Sequence, residues 1–168
     1  NNIKKTLISQ DKPTERVVTE IIRKELGVSK KKEAILLTGD SGVGKTLLMT
    51  LIAKYINRPL FIIDSTQLTI PGYTGKDIEE ELWELYAKCN GDKELAESAI
   101  VYFDEIDKRG SGKKSDVSGQ GVLNCLLPFI EGSTYQAKPN SKSNESVVIS
   151  TDNMTVILGG AFTDVYKD

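Results

Sequence analysis

Two short stretches hold residue types that could do chemistry together. The first, "GDSGVGKT" at residues 39–46, has the form G-x-x-x-x-G-K-T. Glycines let a backbone wrap tightly enough for successive N–H groups to point at phosphate oxygens. A helix beginning at such a loop adds its positive end. Lys45 supplies a point charge for β and γ phosphates, and Thr46 a hydroxyl for Mg²⁺. The residues expected to bind nucleotide here are Asp40, Ser41, Gly42, Val43, Gly44, Lys45, Thr46 and Leu47. Asp40 is awkward, since it sets a carboxylate beside phosphate, and its side chain is expected to turn away. The second stretch, "IVYFDEID" at 100–107, ends an apolar run on two adjacent acids. Neighbours on a strand face opposite ways. Asp104 is therefore expected to lie towards Mg²⁺, through the metal's water shell. Glu105 is expected to aim at a neighbouring point, as general base for a water attacking the γ-phosphate. A protein that only bound nucleotide would not need Glu105, so its presence favours turnover. ATP and Mg²⁺ are the implied cofactors.

The elements that must position these residues can be read from periodicity. Apolar "AILLTG" (34–39), "LFIID" (60–64) and "AIVYFDEID" (99–107) read as buried strands. Helical spacing marks residues 13–26, 45–56, 76–90 and 119–131. In the second of these, Leu48, Leu51, Ile52 and Tyr55 are expected to face inward; in the third, Ile78, Leu82, Leu85 and Cys89 share a face. The acids Asp77, Glu79, Glu80 and Glu81 open that third helix at its positive end. Pro128 should end or kink the last turn of the 119–131 helix. "KRGSGKKSDVS" (108–118) reads as a basic flexible loop and 132–146 as an exposed one. "VVIS" and "TVILGGA" supply two closing strands. Strands alternating with helices imply an α/β domain with a mostly parallel central sheet flanked by helices.

Composition narrows the function classes. The chain has 168 residues, 39% hydrophobic and 27% charged, with net charge −2. That is enough for one domain with a real core, and no whole-domain field favours nucleic acid or an acidic membrane. No apolar run approaches the roughly 20 residues that span a bilayer, and no signal-peptide pattern opens the sequence. There is no histidine, which removes His-based metal sites and Ser-His-Asp chemistry. Cys89 and Cys125 are single and far apart, read as small apolar residues rather than a metal or redox pair. Such thiols suit a reducing cytoplasm, the expected location.

Taken together these motifs resemble the AAA+ ATPases, and within them the ClpX and HslU group of protein unfoldases. "GDSGVGKTLL" is similar to the family's Walker A, and "YFDEIDK" to its Walker B. "LISQDKPTERVV" resembles the segment whose aliphatic residues border the adenine, which makes Leu7 and Ile8 candidate adenine contacts. "DVSGQGVLNCLLPFIEGS" and "VILGGAF" resemble segments of the same group. "GYTGKD" resembles its GYVG pore loop. The resemblance implies a six-subunit ring in which Gly72, Tyr73, Thr74 and Gly75 present an aromatic grip to an unfolded or tagged polypeptide. Tyr73 would slide against many side chains, since an aromatic face offers sequence-tolerant apolar contact. The basic loop with Lys108, Arg109, Lys113 and Lys114 resembles the second pore loop. Gly75 and Asp104 are only 29 residues apart, which leaves no room for the domain inserted in HslU-like chains, so the ClpX-like reading is preferred. A ClpP-like peptidase is the implied partner.

Residues 1–168 are thus expected to be a P-loop NTPase fold, the AAA+ large subdomain, incomplete at its C-terminal end. The arginine finger, the second sensor arginine and the small helical subdomain are absent from the sequence. The isolated chain is therefore expected to be weakly active or inactive. The strand end Gly159, Gly160, Ala161 offers no polar side chain before Thr163, so the family's first sensor is unassigned. Two other readings stand beside the unfoldase. One is an AAA+ ATPase remodelling nucleic acid, with the basic loop lining a DNA channel; the aromatic loop argues against it. The other is a nucleotide-switched binding module without turnover.

Overall fold

The computed structural model describes residues 19–21, 23, 33–39, 44–69, 75–109 and 117–161. The first element is strand β1 (Ile35–Thr38), followed by helix α1 (Lys45–Ile56), β2 (Leu60–Asp64), α2 (Ile78–Lys88), a short α3 (Lys93–Glu97) and β3 (Ile100–Asp104). A single 3₁₀ turn (Ile106–Arg109) leads on to α4 (Val117–Glu131), β4 (Thr134–Ala137), β5 (Val147–Ser150) and β6 (Thr155–Gly160). β1, β6, β3 and β2 pair in that order, and every pairing is parallel. Parallel neighbours need a crossover, and the helices provide it. The α/β reading is correct.

The central strands explain why the sheet holds. β3 is buried along Ile100–Phe103, and β6 is buried at every position but Leu158. The outer strands β1 and β2 alternate instead, and leave Leu36 and Ile62 exposed. Their apolar runs read as strands buried on both faces; at the rim of the described sheet only one face is covered.

Two cores sandwich the sheet. On one face α1 packs Leu48, Met49, Ile52 and Ala53 against Leu37, Ile100, Tyr102 and Ile157, joined by Ile21 from the helical residues 19–21. On the other, α2 and α4 pack Leu82, Leu85, Leu126 and Phe129 against Phe61, Ile63, Val101, Phe103 and Val156. The Phe103 and Phe129 rings meet edge to face, 5.3 Å apart, the arrangement that ring quadrupoles favour. Alternation along β3 thus sends Ile100, Tyr102 and Asp104 to the α1 side, and Val101 and Phe103 to the other.

Several expectations are corrected. Tyr55 is exposed rather than inward, and Leu51 is half-buried, because α1 covers the sheet with a narrow stripe centred on Leu48 and Ile52. β3 ends at Asp104, three residues short of the predicted 107, because Glu105 adopts a left-handed backbone (φ 55°) that cannot continue a strand. The stretch 132–146 contains β4, which pairs antiparallel with β5 as a separate two-stranded sheet. Thr134–Ala137 has too few apolar residues to advertise a strand. Pro128 does not end α4, which continues to Glu131; in the last turn it forfeits a single amide. Of the predicted 13–26 helix, residues 19–21 and 23 are helical and the rest lies outside the described residues. The four-residue face of α2 is buried as expected. Asp77 caps α2 by accepting from the Glu80 amide at 3.0 Å. Cys89 is buried, and both cysteines are free thiols.

Candidate active site

A cavity of about 260 Å³ opens at the carboxyl-terminal edge of the sheet, lined by Gly44, Lys45, Thr46, Asp104, Glu105, Asp107, Lys108, Gly160 and Ala161. Three elements converge there because the four strands of the main sheet run the same way, so the ends of β3 and β6 and the start of α1 share one edge. Open parallel sheets place ligand sites at this edge.

The start of α1 is built to receive an anion. Gly44 precedes it in a left-handed conformation (φ 90°) that suits glycine. Among the described residues no side chain caps the helix, and its first turn carries no acid. α2 is the contrast: Asp77 caps it, and Glu79, Glu80 and Glu81 fill its first turn. A helix whose orphan amides have neither cap nor carboxylate leaves its positive end for a ligand. The Lys45 ammonium reaches back to the Gly39 carbonyl at the end of β1, at 2.5 Å, which holds the cation at the mouth of the loop.

The acids divide the work by position. Asp104, half-buried at the end of β3, accepts two hydrogen bonds on Oδ1. One comes from the Tyr102 hydroxyl at 3.0 Å and one from the Glu105 amide at 2.9 Å. Burial, then the neighbouring Asp104 carboxylate, pushes the Tyr102 hydroxyl pKa well above the ordinary phenol value, so it remains a donor. Glu105 lines the same cavity, and its direction is set by its left-handed backbone rather than by strand alternation. Its Oε1 pairs with the Lys108 ammonium at 2.5 Å, and that hydrogen bond raises the lysine pKa. Lys108 therefore belongs to the cavity wall, not to a flexible basic loop. Asp107 accepts from the Ala161 amide at 3.2 Å and so ties the end of β6 to the 3₁₀ turn. Asp64 is in register beside Asp104, but its oxygens are spent locally on Thr66 and Gln67. The Thr66 hydroxyl bond is the main reason its pKa is lowered.

Lys45, Thr46, Gly44, Asp104 and Glu105 are thus brought together as predicted. Leu47 stands in the first turn of α1 with its side chain exposed. Leu7, Ile8, Asp40, Ser41, Gly42, Val43, Gly72, Tyr73 and Thr74 lie outside the described residues, as do Lys113 and Lys114. Gly75 is described and exposed. Its φ of 132° and the Thr69 side chain against it exclude a Cβ. The Thr69 amide bonds the Lys76 carbonyl at 2.9 Å, which pins the two ends of the 70–74 stretch together. Asp107, Lys108, Gly160 and Ala161 were missed as site residues. The only hint was their place just beyond two strand ends.

Among the described residues three carboxylates and two ammonium groups line the cavity. A polyphosphate entering it would need a further cation to balance the charge. The Thr46 hydroxyl and the Asp104 carboxylate are hard oxygen donors of the kind Mg²⁺ takes alongside phosphate and water, so these residues fit that ion.

The family model described as "AAA domain (Cdc48 subfamily)" matches residues 30–167. The chain belongs to the AAA+ ATPases. This AAA+ chain is 40% identical over 149 residues to the ATP-dependent Clp protease ATP-binding subunit ClpX of Borrelia duttonii (strain Ly), covering 83% of the chain and 35% of that relative. The match to ClpX of Borrelia recurrentis (strain A1) has the same extent. ClpX 3 of Methylococcus capsulatus (strain ATCC 33009 / NCIMB 11132 / Bath) is 39% identical over 142 residues, 78% of the chain and 33% of the relative. The chain therefore spans about a third of the length of these curated relatives. It is a ClpX-like chain of the AAA+ ATPase family with α/β P-loop architecture. Among the described residues no helix is long and apolar enough to cross a membrane.

Proposed function

We propose that this chain is the large nucleotide-binding subdomain of an ATP-driven protein unfoldase. The observation that carries the reading is the convergence of Lys45, Thr46, Asp104 and Glu105 on one cavity at the end of a parallel sheet. Lys45 and the first amides of α1 hold the β and γ phosphates. Thr46 and Asp104 hold Mg²⁺, which when bound draws off phosphate charge in the transition state. Glu105 takes the proton of the attacking water. Its pairing with Lys108 must be exchanged for that water. Leu7 and Ile8 border the adenine. Tyr73, on the Gly72–Gly75 turn, grips an unfolded or tagged polypeptide in the pore of a six-membered ring, and a ClpP-like peptidase receives the product. Likeness to ClpX subunits over most of the chain supports this assembly.

The test separates hydrolysis from threading in the full-length protein. Glu105→Gln should bind ATP about as well as the parent and lose roughly 10²- to 10⁴-fold in turnover. Tyr73→Ala should keep ATP hydrolysis and lose unfolding of a tagged substrate. Undiminished turnover in the first variant overturns the catalytic assignment, and undiminished unfolding in the second overturns the pore loop.

A further inference from the structure

β6 carries no polar side chain at its site end, yet a polar group is delivered there from the next strand. Tyr102 on β3 is fully buried, and its hydroxyl donates to Asp104 Oδ1 two residues along the same face. The ring reaches the carboxylate by lying over Gly159, a diagonal neighbour on β6, since Tyr102 itself pairs with Ile157. A Cβ built on Gly159 would overlap the Tyr102 ring and hydroxyl. Gly159 shows no left-handed φ, so what requires glycine there is the space for that ring. The Glu105 amide takes the other bond on the same oxygen. Oδ1 is thereby held from two sides, in a residue that lines the cavity.

We infer that Tyr102 is a positioning residue for Asp104, seated by Gly159, and that this pair sets how well the carboxylate holds nucleotide-bound Mg²⁺. The inference rests on the assignment of Asp104 to the metal. A hydroxyl inside the core costs less when it has a partner, and here the partner is a carboxylate whose rotation it restricts. Phenylalanine would fill the same volume and release that rotation. The consequence falls on the metal, not on the nucleotide, because the phosphate groups are held from α1.

The experiment titrates a fluorescent ATP analogue onto full-length protein over a series of Mg²⁺ concentrations and again in EDTA, for the parent, Tyr102→Phe and Asp104→Asn. The expected result for Tyr102→Phe is a Mg²⁺ half-point raised by roughly 3- to 10-fold, the range of one hydrogen bond, with affinity in EDTA within two-fold of the parent. Asp104→Asn should raise the half-point further. If Asp104→Asn raises it and Tyr102→Phe leaves it within two-fold, the positioning role is overturned while the metal assignment stands. If neither moves it, the metal assignment fails and the inference with it. Gly159→Ala, which displaces the ring but keeps the hydroxyl, should shift the half-point in the same direction. A folded Gly159→Ala with the parent's Mg²⁺ dependence overturns the inference even if Tyr102→Phe does not fold.

Discussion

A lysine that bonds the carbonyl of its own loop exchanges that bond when a phosphate arrives. Lys45 makes such a bond to Gly39, and in the proposed site a phosphate oxygen would take the place of that carbonyl. The exchange favours phosphate because a charge-assisted bond to an anion is roughly twice as strong as one to a neutral carbonyl. Lys45→Ala should therefore weaken ATP binding by about 2–3 kcal/mol, a factor of roughly 30 to 150. Its fold is expected to survive, because the lysine lies at the rim of the cavity. Calorimetric titration reads the first, and a thermal melt without nucleotide the second. Asp64, although in register with Asp104, differs at this scale, since Thr66 and Gln67 bond its oxygens.

At the scale of elements, α2 holds an ionisable group in an unfavourable place. Glu81 is buried on that helix, and burial, the largest influence, raises its pKa. Lys76 and Lys88 oppose the rise, while Glu84 and Glu80 add to it. A carboxyl whose folded pKa lies above its unfolded value loses stability as pH climbs from the ordinary glutamate range. Below about pH 4.3 both states are protonated and the penalty is absent. Glu81→Gln should therefore be more stable than the parent at pH 7, by under about 1 kcal/mol, and the difference should close near pH 4. Urea unfolding at the two pH values tests it. β5 shows the opposite management, since the Ser150 amide at its end is covered by Glu97 at 2.8 Å.

Across the whole molecule, stability and chemistry sit at opposite edges of the sheet. The cavity lies at the carboxyl ends of the strands. At the amino ends, Arg58 spreads its guanidinium over the Ser98 carbonyl, the Thr155 hydroxyl and the Asn153 carbonyl. It thus joins the turn before β2 to the turns leading into β3 and β6. Arg58→Ala should cost about 1–3 kcal/mol by removing three hydrogen bonds, two of them part-buried. Arg58→Lys should recover little, because an ammonium cannot match that planar fork. Nucleotide affinity per folded molecule should be unchanged in both, which denaturant melts combined with a nucleotide titration would establish.

Much of this was legible in the residues themselves. The G-x-x-x-x-G-K-T loop, the helix after it, the run ending in Asp104 and the buried face of α2 depend on covalent neighbours and on the periods of helix and strand. Those are local properties, and a sequence carries them by itself. The tertiary structure alone decided that β6 enters between β1 and β3, that β4 pairs with β5, and that Lys108 turns to Glu105. It also decided that Tyr102 reaches Asp104 across Gly159. The strand order, the β4–β5 pairing and the seat of the Tyr102 ring over Gly159 join residues brought together only when distant segments compete to bury the same surface, and no period along the chain encodes the winner of that competition.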